Sequence, residues 1–256
     1  MNLTDTEILK FLKGSPVFLD DICAIYPAKV GEIVDLGYDT FQTYLSIINT
    51  EKPDIKESDS KLKEFLEPLS DFQYLLAMAE ISLEINQALK DAFFFFTHEN
   101  VFFSLNPAQI IIGPAEEKHL LTEEKFYEFR SIIRRMFFMD QDGDEIIINE
   151  SDPPAVKQLK KQMRANRKKL KKAKAKRAAQ EGTDVKFSDL IASVSINNCN
   201  LNIENIWNIT YYAFFDQLRR SGWRDQFNIN TEAALAGAKI KKNQLKHWVR
   251  SMSNSD

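Results

Sequence analysis

The chain has 256 residues, 44% hydrophobic and 28% charged, which is long enough for a substantial core and ordinary for a globular protein. Its net charge of −3 hides a segregation: twelve of the 34 basic residues lie between Lys157 and Arg177, leaving 22 basic against 37 acidic residues and a net of −15 for the remainder. No run approaches 18 apolar residues, so no membrane-spanning helix is expected, and the acidic remainder disfavours a phosphate backbone as partner.

The N-terminal "MNLTDTEILK" lacks a basic region and a long apolar stretch, so no secretory signal is expected. Cys23 and Cys199 form no metal or disulfide pattern and suit a reducing compartment. Only eight glycines and eight prolines point to few turns and mostly helix, and 19 phenylalanines to an aromatic core.

The first predicted element is a short helix in "LTDTEILKFLKG", with Thr4 and Glu7 as a capping box and Gly14 as its stop. "PVFLDDICAIYP" gives two short apolar runs around Asp20 and Asp21, a hairpin ended by Pro27. Two helices follow, divided at Gly37; in the second, Phe41, Tyr44, Leu45 and Ile48 keep a helical spacing. "KPDIKESDS" is a polar loop.

Helical pattern returns from Leu62 to Phe96, broken at Pro68 and restarted with Ser70 as cap. "VFFSL" and "QIIIG" have strand composition and are parted by Asn106 and Pro107. "LTEEKFYEFRSIIRRMFFM" is a helix with acids at its start and arginines near its end, matching the dipole. An acidic, turn-rich stretch from Asp140 closes on Pro153 and Pro154 and marks a domain boundary.

The basic stretch carries an apolar seam. Val156, Leu159, Met163, Asn166, Leu170 and Ala173 fall on alternating steps of three and four, about two and a half heptads with basic flanks. Beyond "EGTD", three or four helices are expected: one striped by Phe187, Leu190, Ile191 and Val194; a longer one from Ile203 to Leu218, stopped near Gly222; and a last one with Leu245, Trp248, Val249 and Met252. The expected fold is therefore mainly α. A helical N-terminal domain (1–152) carries a small β element, with short strands near 17–26 and 101–112. A basic linker helix (153–182) joins it to a small helical C-terminal domain (183–256).

Catalytic and metal patterns are not apparent. The three histidines (His98, His119 and His247) sit after an aromatic run, in a charged loop and beside Trp248, and read as structural or surface residues. A calcium loop starting at Asp140 would need Gly at its sixth position and an acid at its twelfth; Glu145 and Ser151 stand there instead. "AALAGAKIKKNQLKHW" approaches a helix-turn-helix, but Gly237 to Leu245 is eight residues where the motif needs six, which turns the second helix off its register. There is no Gly-rich phosphate loop, and no cofactor is expected.

The candidate contacts are with proteins. Val156, Leu159, Met163 and Leu170 of the seam fit a partner helix or a neighbouring copy. Of the run Phe93–Phe96, not all can face one side of a helix, so Phe94 and Phe95 are candidates for an exposed patch. Lys168, Lys169, Lys171, Lys172, Lys174 and Arg177 are candidate basic contacts; with Lys239–Lys246 they would serve a nucleic-acid-binding regulator, an alternative marked by steep salt dependence.

Taken in order, "ICAIYPAKVGEIVDLGYDTFQTYLSIIN", "LLTEEKFYEFRSIIRRM", "LNIENIWNITYYAFFDQLRR" and "AALAGAKIKKNQLKHWVRSM" resemble proteins encoded in the tail modules of long-tailed phages and prophages of Gram-positive bacteria. The resemblance covers most of the chain, basic segment included, and its motifs belong to the fold rather than to a catalytic site. It implies tail morphogenesis without catalysis, as an assembly chaperone in the host cytoplasm. The implied partners are the tape measure protein and the tail tube protein, with a homo-oligomer also compatible. A structural component of the tail or neck in the virion is the alternative. It assigns no binding residues.

Overall fold

A computed structural model describes residues 4–53, 64, 66, 68–113, 118–139, 153, 185–197, 201–240 and 245–249. Helix α1 (Asp5–Lys13) opens on the predicted capping box: the Thr4 Oγ1 accepts from the Glu7 N–H at 3.2 Å, and Glu7 reaches back to the Thr4 N–H at 2.9 Å. Gly14, at φ 79°, closes it. The hairpin β1 (Val17–Leu19) and β2 (Cys23–Ile25) pairs Val17 with Ile25 and Leu19 with Cys23. Alternation along β1 buries Val17 and Leu19 and turns Phe18 outward.

Helices α2 (Val30–Leu36) and α3 (Tyr38–Ile48) part at Gly37, whose φ of 93° suits glycine, and the predicted stripe Phe41, Tyr44, Leu45 and Ile48 is buried. Ser70 caps α4 (Asp71–Ile81) as predicted. The helix expected to run on to Phe96 instead breaks at Ser82. That residue is extended (φ −117°, ψ 117°), and its Oγ accepts from the Ile85 N–H at 3.3 Å, capping a separate α5 (Leu83–Thr97).

The two expected strands, β3 (Val101–Leu105) and β4 (Ala108–Ile112), pair antiparallel as a hairpin around Asn106 and a cis Pro107. A third strand, β5 (His119–Leu121), pairs antiparallel with β4, so His119 lies opposite Ile112 in a ladder rather than in a charged loop. Helix α6 (Glu123–Met136) follows, with acids in its first turn and Arg134 and Arg135 in its last.

In the C-terminal part, α7 (Phe187–Asn197) leads through a 3-10 turn (Ile206–Asn208) to α8 (Tyr211–Leu235). α8 does not stop at Gly222. Nothing lies within 4 Å of a Cβ placed there, and i,i+4 side-chain bonds brace the turns before and after it: Arg220 to Asp216 at 2.8 Å, Gln226 to Asn230 at 3.0 Å. A mid-helix glycine costs only about 1 kcal/mol. Leu245 is in 3-10 conformation, and residues 246–249 are not helical; there the Val249 N–H bonds to the His247 Nδ1 at 3.1 Å. Met252, the acidic stretch 140–152 and the basic stretch lie outside the described residues.

α8 is joined to the N-terminal elements by backbone hydrogen bonds. The Val30 N–H donates to the Ile209 carbonyl at 2.9 Å and the Tyr211 N–H to the Ala28 carbonyl at 2.8 Å, an antiparallel bridge of Lys29 with Thr210. One buried cluster takes in Phe11, Ile25, Phe41, Phe93 and Phe129 together with Ile191, Ile206, Tyr211 and Phe214. Buried residues between 187 and 214 thus fall in one cluster with buried residues between 11 and 137. The fold is mainly helical with two small antiparallel sheets.

Candidate functional site, an apolar row on the outer sheet face

The strand order β3-β4-β5 and its register fix which side chains meet. Phe102 is paired with Ile111, and Ile111 with Leu120, so the three stand in one row across the sheet. Phe102 is 53% and Leu120 46% exposed, with Ile111 half-buried between them. The opposite face carries Val101, Ile110, Ile112 and Leu121, all buried, and α4 and α5 pack against it. Phe103 turns inward and meets the Phe93 ring at 6.4 Å. A strand of alternating character normally turns polar residues to water; here the outer row is apolar and rests on a rigid support.

Strand spacing of about 4.8 Å sets the step along this row, close to the ~5.4 Å at which a helix repeats its side chains. An amphipathic helix lying across the strands therefore meets one row residue per turn. Two further exposed aliphatic side chains, Ile81 (77%) and Leu83 (89%), flank the Ser82 corner between α4 and α5.

On α5, Phe93 and Phe96 are fully buried, Phe94 is 52% exposed, and Phe95 is half-buried. Phe95 packs against Phe41 and Tyr44 at 6.0 Å each. Of the two candidates, Phe94 is the one that reaches the surface. Val156, Leu159, Met163 and Leu170, and Lys168, Lys169, Lys171, Lys172, Lys174 and Arg177, lie outside the described residues. The sequence reading missed the row because β5, three residues long, is too short to show alternation. The period-two pattern in "VFFSL" and "QIIIG", which puts Phe102 and Ile111 on one face, was the available signal.

The ionisable groups within the core serve packing. Arg130 lies over the Tyr127 ring at 4.9 Å, with its Nη1 3.8 Å from Asp71, tying α6 to α4. Asp216, 6% exposed, accepts from Arg220 one helical turn on. The three histidines stand apart: His98 ends α5 and stacks on Tyr26 at 4.3 Å, His119 is in β5, and His247 meets Phe227 and Trp248. No group of three or more His, Cys, Asp or Glu side chains is placed to hold a metal ion among the described residues, and no helix there is long and apolar enough to cross a membrane.

Comparison with known proteins gives one similarity. No curated protein and no solved structure matches the chain. Residues 172–253, about a third of it, match the model of a family described as YomV second domain. That family is phage-associated, and the match fits a phage protein.

Proposed function

We propose that the protein acts in phage tail morphogenesis as an assembly chaperone, binding an apolar helical client in the host cytoplasm without catalytic turnover. The observation that carries this reading is the exposed row Phe102–Ile111–Leu120 on a sheet whose other face is core. The phage-associated family match and the resemblance to tail-module proteins support the setting. A tape measure protein is the client implied, being long, helical and apolar in stripes. A tail tube protein is the second implied partner. Weak contacts on each copy gain strength when many copies cover one long client.

The test is co-expression with the neighbouring tail proteins, followed by pull-down and measurement of which one stays in solution. The expected result is retention of the tape measure protein, with affinity reduced about thirtyfold by the double change Phe102→Ser and Leu120→Ser, as for loss of interface anchors worth about 1 kcal/mol each. Equal retention by the double variant refutes the proposed surface. Stoichiometric presence in purified particles would instead assign the protein to the virion. Tight nucleic-acid retention that falls steeply with salt would assign it to the regulator alternative.

A further inference from the structure

A groove of about 600 Å³ runs between α3 and α5, with Tyr44 and Ala88 in its wall and Asp39, Glu84 and Asp91 around it. The described ion pairs include none of these three carboxylates. Among the described residues, Asp91 accepts from the Gln87 amide alone, at 2.7 Å. Asp39 and Glu84 each sit in the first turn of their helix, where the dipole favours a negative charge. That reason does not extend to Asp91, in the middle of α5. Burial first, and the Asp91 charge second, hold the Tyr44 hydroxyl above its ordinary pKa.

Where the chain leaves and returns points to the occupant. Asn49, which closes α3, donates from its Nδ2 to the Met139 sulfur at 3.3 Å. Phe187 stacks on Tyr38, the first residue of α3, at 4.6 Å. The connection between Met139 and Val185 thus departs at one end of α3 and rejoins at the other, about 16 Å away for eleven residues at 1.5 Å each. That connection carries the twelve cations of Lys157–Arg177 and no acid among them. Seventeen residues precede the stretch and seven follow it, enough to reach along α3 from either end at up to about 3.4 Å per residue.

We propose that the α3–α5 groove is the docking surface for the chain's own basic stretch, Lys157–Arg177, in an intramolecular contact between its lysines and Asp39, Glu84 and Asp91. Tethering at both ends of α3 gives the stretch an effective concentration near this groove of the order of millimolar, which favours the same chain over a second copy. The contact is electrostatic and exposed, so it weakens with salt. It uses other elements than the apolar row and needs no client, so it stands or falls separately from the chaperone reading.

The test is carbodiimide crosslinking of the full chain, which joins a carboxylate to a lysine amine only in direct contact, read by mass spectrometry on the monomer fraction. An equal mixture of light and heavy-isotope protein separates links within one chain from links between two. Lys125–Asp20, at 2.6 Å, is the internal positive control. The expected result is light–light and heavy–heavy links from Asp39, Glu84 or Asp91 to lysines of 157–177, without mixed pairs. Changing Asp39→Asn, Glu84→Gln and Asp91→Asn together should lower the yield of lysine links to the remaining α3 and α5 surface about tenfold, the loss expected of three exposed ion pairs. Control links without groove links overturn the proposal, and so do groove links found only in mixed pairs. The wild-type measurement decides it even where the triple variant does not fold.

Discussion

The run Phe93–Phe96 shows how a single helical turn sorts identical residues. Leu89, Ala92, Phe93 and Phe96 follow i, i+3, i+4 and i+7, and all four are buried. Phe94 is left on the other side. The phase was legible from Leu89 and Ala92, although the four phenylalanines alone do not disclose it. Truncation should therefore cost very different amounts within two residues. Phe93→Ala, which removes a ring stacked on Phe129 at 4.8 Å, is expected to lose about 3–5 kcal/mol, and Phe94→Ala less than about 1 kcal/mol. Urea unfolding measures both. Thr210 carries a comparable weight through polar bonds: its Oγ1 donates to the Phe11 carbonyl at 2.8 Å and accepts from the Ala213 N–H at 3.0 Å. Thr210→Val keeps the shape and removes the cap and the tie to α1 together, for an expected loss of about 2 kcal/mol, whereas Thr210→Ser should lose well under half of that.

Helix starts were readable because caps are local. Thr4 and Ser70 each have their partner three residues on, and both starts lie where the sequence put them. Ends and breaks were less readable because tertiary contacts decide them. Ser82 interrupts a pattern that stays apolar across it, and Gly222 fails to interrupt one. The glycines give the sharpest test at this scale. A Cβ at Gly31 would come 3.0 Å from the Trp207 carbonyl oxygen, where α2 meets the 3-10 turn, whereas Gly222 has open space. Gly222→Ala should raise stability by about 0.5–1 kcal/mol through helix propensity. Gly31→Ala, the same change within another helix, should lower stability because backbone must move. Denaturant midpoints of the two variants shifting in the same direction would contradict this account.

Across the whole molecule, the charge segregation was plain in the sequence, but the surface facing Lys157–Arg177 was not. The α3–α5 groove joins Asp39 to Asp91, fifty-two positions apart, and only packing brings them together. Packing also joins α8 to the N-terminal elements through an aromatic cluster whose protons report on folding. Burial first, then the charge of Glu99, pushes the Cys23 thiol up to about 12 from 9.0; burial first, then Asp216, pushes the Tyr212 hydroxyl up to about 12 from 10.0. Burial also raises Tyr38, and raises Tyr211, whose hydroxyl is paired with Tyr38. The unfolded chain releases these protons at their ordinary values while the folded chain holds them, so the unfolded state binds fewer protons above about pH 9. Stability from these groups is complete below that value and is lost as pH rises through about 12. The melting temperature should fall steadily from about pH 9 upward. Tyr212→Phe separates one contribution from the rest. Its hydroxyl is buried without a hydrogen-bond partner, so removing it should leave stability at neutral pH unchanged or slightly higher. The same change should flatten the decline above about pH 10, because the variant has no proton to lose there. A decline just as steep in Tyr212→Phe would mean that the loss of stability at high pH arises elsewhere in the cluster.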